Sequence, residues 1–121
     1  MKHLLLITGG HAGGRLERLA DAVAAGIAEF ADEVELRRLP ALEATLDDLL
    51  WSHALVIGTP EKFGYMAGAV KDFFDRTFYP AEGKVDGLPS ALFVSAGNDG
   101  TGAVTSSESS DARPSEKLFT R

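Results

Sequence analysis

Apolar residues follow two different spacings along this chain, and the alternation of the two predicts strands and helices in turn. Residues 4–7, 54–58 and 91–95 are apolar runs, typical of parallel strands that are buried on both faces. In residues 33–37 apolar and charged positions alternate, which predicts a strand at an edge of the sheet with one face exposed to solvent.

Three segments between these strands repeat apolar residues every three or four positions, as one face of a helix does. The first follows a glycine-rich loop and has apolar residues at Leu16, Leu19, Ala20, Val23, Ile27 and Phe30. The second is opened by Pro40, which suits a first helical turn, and carries Leu42, Leu46, Leu49 and Leu50. The third carries Met66, Val70, Phe73, Phe74 and Thr77. This alternation favours right-handed crossovers, and hence a doubly wound α/β fold with a parallel sheet between helices.

Composition narrows the classes of partner and site. The 121 residues include 12 basic and 18 acidic side chains, and the net charge of −6 disfavours nucleic acids and anionic membranes as partners. The chain has no cysteine, which excludes disulfides, cysteine nucleophiles and thiolate metal sites. His3, His11 and His53 are far apart in sequence, so no metal site is predicted. The first apolar run is too short for a signal peptide or a membrane span, and a cytoplasmic location is expected.

Three loops are predicted to meet at one edge of the sheet, because ligands of doubly wound sheets bind outside the carboxyl ends of the strands. They are residues 8–15, 59–65 and 95–102. The first loop leads into a helix N-terminus and suits an anion such as phosphate, with a tight strand-to-helix turn as the alternative. It is not a P-loop, because Arg15 and Leu16 stand where that motif has Lys and Ser or Thr. Its paired glycines also differ from the dinucleotide fingerprint.

The second and third loops carry a family resemblance. Residues 58–76, GTPEKFGYMAGAVKDFFDR, resemble the flavin-loop signature of flavodoxin-like FMN proteins, in the group of NAD(P)H-dependent FMN and quinone reductases. That signature has a strand, Thr-Pro, an aromatic residue or Asn next to Gly, and a helix reading K-x-F-x-D-R. Residues 95–100, SAGNDG, resemble the second glycine-rich flavin loop of that family. The resemblance extends over residues 1–104 and implies a flavodoxin-like FMN-binding domain with strand order 2-1-3-4.

The resemblance also implies a cofactor and a site. FMN would be the cofactor, NAD(P)H the hydride donor, and a small molecule, quinone or flavin, the electron acceptor; a homodimer stays open. Because the flavin carries the chemistry, no catalytic side chain is expected. The residues that match the family's phosphate loop are Thr8, Gly10, His11, Gly13, Gly14 and Arg15. Those that match its isoalloxazine loops are Thr59, Pro60, Glu61, Lys62, Phe63, Gly64, Tyr65, Ser95, Ala96, Gly97, Asn98, Asp99 and Gly100.

One position departs from the family's pattern. Leu16 stands where the family usually has a hydroxyl side chain in the first helical turn. Main-chain amides, His11 and Arg15 are therefore expected to donate hydrogen bonds to the phosphate.

Several single residues also have a structural interpretation beside the functional one. Phe63 and Tyr65 either stack beside the flavin or seal the core. Glu61 is expected to be a solvated loop residue, and His53 to be structural. Residues 78–80 belong either to a substrate pocket or to a subunit contact. Asp75 and Arg76, at the end of the motif, are expected to form structural pairs.

The C-terminal segment sets a limit on the resemblance. Residues 105–121 are rich in serine and poor in apolar residues, which predicts a polar, disordered tail. The family continues with a helix, a fifth strand and a last helix, so we expect the fifth strand to be missing and residues 91–95 to form an exposed edge. A truncated or frame-altered reductase, or a partner subunit over that edge, would account for this.

Two classes of function therefore stay open. The first is an FMN-dependent oxidoreductase, and the second is a flavin-binding or interaction module, including a remnant, that transfers no hydride.

Overall fold

The computed structural model describes residues 1–10, 14–62, 65–95 and 117–119, and its strands form one sheet. The strands are β1 (Lys2–Thr8), β2 (Val34–Pro40), β3 (Ala54–Lys62), β4 (Tyr65–Met66), β5 (Ser90–Ser95) and β6 (Lys117–Phe119). The helices are α1 (Arg15–Ala28), α2 (Leu46–Trp51) and α3 (Gly68–Thr77). Strands β2, β1, β3, β5 and β6 lie parallel in that order, and β4 pairs antiparallel with the end of β3. The predicted doubly wound α/β fold is confirmed, with β5 as the fourth strand of the predicted order.

The prediction that the fifth strand is missing is wrong. β6 pairs with β5 in parallel register, from Ser90 opposite Lys117 to Leu92 opposite Phe119. The edge of β5 offers main-chain N–H and C=O groups, and three residues from the least polar part of the C-terminal segment are enough to pair with them. The rest of residues 105–121, and the disorder predicted for it, lies outside the described residues.

Each face of the sheet has its own apolar core, because alternate residues of a strand point to opposite faces. On one face, Leu5 and Ile7 of β1 pack with α2, α3 and the turns that follow α3. On the other face, α1 covers a smaller core that consists of Leu6, Leu16, Ala20 and Phe93. The sheet is thus covered on both sides, and its strand ends lie between the two layers of helices.

The start of α2 differs from the prediction. Pro40 is the last residue of β2, at the edge of the described sheet, where a residue without an N–H group loses no ladder hydrogen bond. α2 begins after Thr45, whose hydroxyl accepts a hydrogen bond from the Asp48 amide at 3.3 Å while Asp48 accepts one from the Thr45 amide at 2.8 Å. This capping box satisfies two amides that the helix itself leaves unpaired, and it places the start of the helix.

Arg76 ties α3 to the turn before α2. Its guanidinium donates to the main-chain oxygens of Ala44 at 2.8 Å and Ala41 at 2.9 Å, and to the Asp72 carboxylate at 2.6 Å. Asp75 pairs with Lys71 one turn earlier on the same helix. The structural roles expected for Asp75 and Arg76 are therefore confirmed.

Candidate functional site

The three predicted loops begin side by side. β1 lies next to β3 with Thr8 opposite Gly58, and β3 lies next to β5 with Pro60 opposite Ser95. The carboxyl ends of three neighbouring parallel strands thus open onto one edge of the sheet, as expected for a ligand site in this class of fold.

Gly9 continues β1 into the first loop and lies tightly against α3. Its amide donates to the Gly58 carbonyl at 2.9 Å. A Cβ atom at this position would lie 2.7 Å from Val70 Cγ2 and 3.1 Å from Ala67 Cβ, both on buried residues. A residue without a side chain is therefore needed where the loop passes the start of α3.

Gly10 and Leu16 are in tight contact. A Cβ atom on Gly10 would lie 2.9 Å from Leu16 Cδ2 and 3.0 Å from Leu16 Cβ. Leu16 itself is 3% exposed and belongs to the core under α1. The position that departs from the family's hydroxyl pattern is thus a packing position, and its leucine holds the first helical turn against the loop.

Among the described residues, no side chain caps the N-terminus of α1. Gly14 is the N-cap residue in extended conformation, and it has no side chain that could accept from the first-turn amides. Arg15 follows it and is exposed. First-turn amides, which have no acceptor within the helix itself, favour an anion at this place together with the positive end of the helix dipole and a guanidinium. His11 and Gly13 of the predicted site lie outside the described residues.

Thr8 has a hydrogen-bond partner within the fold. Its side chain is buried, and its hydroxyl donates to the Glu17 carboxylate of α1 at 3.2 Å. Glu17 was not among the predicted site residues. Its place in the first turn of α1, just after the glycine-rich loop, was the available signal, because a carboxylate there lies near the first-turn amides and the positive end of the helix dipole.

The second loop is largely regular structure, contrary to the prediction that the strand ends at Gly58. β3 continues to Lys62, and the chain returns as β4, with Glu61 opposite Met66 and Lys62 opposite Tyr65. Glu61 is consequently a half-buried strand residue, and the expectation that it is a solvated loop residue is wrong. Pairing with β4 and β5 supplies the strand partners that the sequence pattern of β3 does not reveal.

Thr59 joins the two arms of this hairpin. Its side chain is fully buried, and its hydroxyl accepts from the Ala67 amide at 2.9 Å and donates to the Pro60 carbonyl at 2.9 Å. The amide that precedes α3 is thereby satisfied by β3. Tyr65 is 44% exposed, so the interpretation that it seals the core is wrong.

Most of the remaining predicted residues lie outside the described part of the chain. Ser95 is half-buried at the end of β5. Phe63 and Gly64, and the third-loop residues Ala96, Gly97, Asn98, Asp99 and Gly100, lie outside the described residues.

Gly58 is a further residue that the sequence prediction missed. A Cβ atom at Gly58 would lie 2.4 Å from Cζ and 2.6 Å from Cε2 of Phe93, so the aromatic ring of β5 lies directly over the backbone of β3. A glycine at the end of an apolar run is a signal for such a close approach.

His3 and His53 lie away from this edge, near the amino ends of the strands. His53 Nδ1 accepts from the His3 amide at 2.8 Å near the start of β1, and the His3 ring stacks on Trp51 with centroids 4.2 Å apart. The structural role expected for His53 is confirmed. Within the described part of the chain, no group of three or more His, Cys, Asp or Glu side chains could hold a metal ion. Among the described residues, no helix is both long enough and apolar enough to cross a bilayer.

Known proteins match both the sequence and this architecture. The model of the NADPH-dependent FMN reductase family matches residues 1–112. A curated NAD(P)H dehydrogenase (quinone) of Paracoccus denitrificans is 33% identical over 79% of this chain and 55% of its own length. A curated flavodoxin of Aquifex aeolicus is 34% identical over 74% of this chain and 48% of its own length. The chain therefore spans about half the length of these curated relatives.

The fold has solved counterparts as well. A flavodoxin from the domain Archaea superposes with a TM-score of 0.75 over 98% of this chain and 84% of its own, at 18% identity. At that identity the likeness concerns the fold. The family match covers all the predicted loops, and the fold has the strand order that the resemblance implied. The chain belongs to the NADPH-dependent FMN reductase family.

Proposed function

We propose that this chain binds FMN at the carboxyl edge of its sheet and acts in the NAD(P)H-dependent reduction of a quinone or a flavin. The observation that carries the proposal is the N-terminus of α1, which no described side chain caps and which follows the close-packed Gly9 and Gly10, in a chain whose family match covers residues 1–112. The donor set fits a phosphate group, because main-chain amides and a guanidinium both bind phosphate oxygens well.

The residues divide into two kinds of role. Gly10, Gly14 and Arg15, with His11 and Gly13, would hold the phosphate. The hairpin of β3 and β4 and the loop after Ser95 would line the isoalloxazine. Thr8 and Thr59 support these loops through their hydrogen bonds to Glu17 and Ala67 rather than through free hydroxyls.

The chemistry belongs to the cofactor. When bound, FMN supplies a ring that accepts hydride from NAD(P)H and passes electrons to a small-molecule acceptor. The protein contributes binding, orientation and exclusion of water, so we propose no catalytic acid, base or nucleophile in this chain.

The first experiment is a titration of the purified chain with FMN, followed by quenching of flavin fluorescence. We expect saturable binding with Kd near 1 μM, which is about −8.2 kcal/mol.

Arg15→Ala should weaken FMN binding by about tenfold, because a charge-assisted hydrogen bond to phosphate is lost. Arg18→Ala is the matched control, since it removes the same charge from an exposed position one turn further along α1. Equal effects of the two substitutions would count against a phosphate site at the N-terminus of α1.

Activity is tested on the FMN-loaded chain by oxidation of NADH or NADPH with a quinone or free flavin as acceptor. The second candidate is flavin binding without turnover, and it is favoured by the 34% identity to a relative named flavodoxin. Saturable FMN binding with no nucleotide oxidation would support that candidate.

A cytoplasmic location and a homodimer are further parts of the proposal. Cell fractionation tests the location, and size-exclusion chromatography with light scattering tests the dimer.

A further inference from the structure

Arg38 lies beside the proposed phosphate site without belonging to it. It is a residue of β2, opposite Leu6 of β1, on the sheet face that α1 covers. Its two terminal nitrogens reach two acids of α1: Nη2 donates to Glu17 Oε2 and Nη1 donates to Asp21 Oδ1, each at 2.8 Å. One guanidinium thus clamps two successive turns of α1 to the edge strand.

Glu17 occupies an electrostatically unusual position for a phosphate-binding helix. It lies in the first turn of α1, where its carboxylate and a bound phosphate would compete for the positive end of the same helix dipole. Both of its oxygens are engaged, Oε1 by the Thr8 hydroxyl and Oε2 by Arg38. The carboxylate is therefore held against the sheet and has a positive partner.

The net charge of the cluster of Arg38, Glu17 and Asp21 depends on Arg38. Glu17 and Asp21 contribute two negative charges and Arg38 one positive charge, so the three side chains sum to −1 with the guanidinium and to −2 without it. The chain as a whole already carries a net charge of −6. The Arg38 side chain is 29% exposed and that of Glu17 is 25% exposed, so solvent screens this pair less than a fully exposed one.

We infer that Arg38 is a charge-balancing and positioning residue, which neutralises Glu17 and allows the N-terminus of α1 to accept the phosphate of FMN. The inference rests on the proposed function, since it concerns the same phosphate site. It assigns to Arg38 a selective effect on the phosphorylated flavin, because riboflavin has the same ring without the phosphate.

The test compares Kd for FMN and for riboflavin in a set of single and double variants. Arg38→Met keeps an unbranched side chain and removes the charge. We expect FMN binding to weaken by about tenfold, as one uncompensated charge near the site would require, and riboflavin binding to change by less than about twofold. Raising the salt concentration should reduce the difference between the variant and the wild type.

Arg37→Met is the matched control. Arg37 is the next residue of β2; it pairs with Asp48 and lies 3.9 Å from the centre of the Trp51 ring. Its substitution changes the net charge of the chain by the same amount, and we expect the ratio of the two Kd values to stay as in the wild type. Glu17→Gln combined with Arg38→Met removes both charges and should restore FMN binding to within about twofold of the wild type.

The outcomes separate the inference from the proposal beneath it. A wild-type chain that binds FMN no better than riboflavin would overturn the phosphate site, and the inference with it. A wild type that prefers FMN, with an Arg38→Met variant that keeps this preference or a double variant that fails to recover it, would overturn the inference alone. Should Arg38→Met not fold, Arg38→Lys keeps the charge but not the two-nitrogen contact. FMN binding within about threefold of the wild type would support charge balance as the role, and a larger loss would contradict it.

Discussion

The hydroxyl of Thr59 offers the sharpest test of how the second loop is built. Thr59→Val keeps the shape of the side chain and removes its oxygen. The Ala67 amide then loses its acceptor, at a residue that is 4% exposed, and the Pro60 carbonyl loses a donor. Water cannot readily replace the acceptor, because the threonine side chain itself is fully buried.

The magnitude follows from the group that is left unpaired. A buried amide without a partner costs about 1–3 kcal/mol, and we expect Thr59→Val to lower the free energy of unfolding by about 2 kcal/mol. For a domain of this size, that corresponds to a decrease in Tm of about 8 °C. Urea denaturation followed by circular dichroism measures the free energy, and the denaturant dependence should keep its slope if only the native contact has changed.

Two variants control for hydroxyl loss as such. Thr59→Ser keeps the oxygen and should lose less than half as much stability. Thr77→Val deletes another fully buried hydroxyl, which donates to the Phe73 carbonyl at 2.6 Å, but that carbonyl also faces a helical amide. We expect a loss below about 1 kcal/mol for Thr77→Val. If Thr59→Val were as stable as the wild type, or no worse than Thr77→Val, the hydrogen bond to Ala67 would not hold the hairpin to α3.

Two further substitutions test the packing of the site and the opposite edge of the sheet. Gly58→Ala places a Cβ 2.4 Å from the Phe93 ring and should cost about 1–3 kcal/mol in urea denaturation, with partial recovery when Phe93→Leu is added; full stability of the single variant would contradict the close contact. Desolvation, and then the nearby positive charges of His3, Lys2 and the N-terminus, lower the pKa of His53 in the folded protein. The neutral imidazole therefore stabilises the fold fully above the ordinary pKa of 6.5, and this stabilisation is lost as the pH falls through the lowered pKa. His53→Asn keeps an acceptor for the His3 amide, and Tm measured between about pH 7 and pH 5 should fall less in the variant than in the wild type.

Much of the fold could be predicted because local pattern and tertiary structure agree. The apolar runs of β1, β3 and β5 lie in the centre of the sheet, and the helical spacing before Ala28 gives α1 its buried face. Right-handed crossovers leave few orders for such strands, so the order of the first four parallel strands followed from the alternation and the resemblance.

The start of α2 shows where a strong local rule gave the wrong answer. Proline suits the first turn of a helix, but it suits the end of an edge strand equally well, and Pro40 takes the second place, opposite Thr8. The capping box of Thr45 and Asp48 was a readable competing signal in the sequence.

The ends of β3 and the presence of β6 could not be predicted from local pattern. Residues 59–62, TPEK, contain no apolar run. They become strand because β5 pairs with Thr59 and Pro60 and β4 pairs with Glu61 and Lys62. Lys117–Phe119 pairs with β5 for the same reason. Pairing between segments far apart in sequence depends on the partner's free edge, which no window of a few residues contains.

In the candidate site, the sequence does not show which hydrogen-bonding atoms are free for a ligand. Sequence resemblance marks Thr8 and Thr59 as residues of flavin loops. Thr8 is the last residue of β1, and Thr59 lies in the last part of β3, near the edge where a ligand would bind. Each hydroxyl has one proton, which Thr8 donates to Glu17 and Thr59 donates to the Pro60 carbonyl. Among the described residues at this edge, the donors that remain for a phosphate are the amides of the first turn of α1 and the exposed Arg15. An anion there depends on the charge that surrounds them. Residue types and spacing thus locate the loops, whereas the partners of Thr8, Glu17 and Arg38 decide which atoms in those loops are left for a ligand.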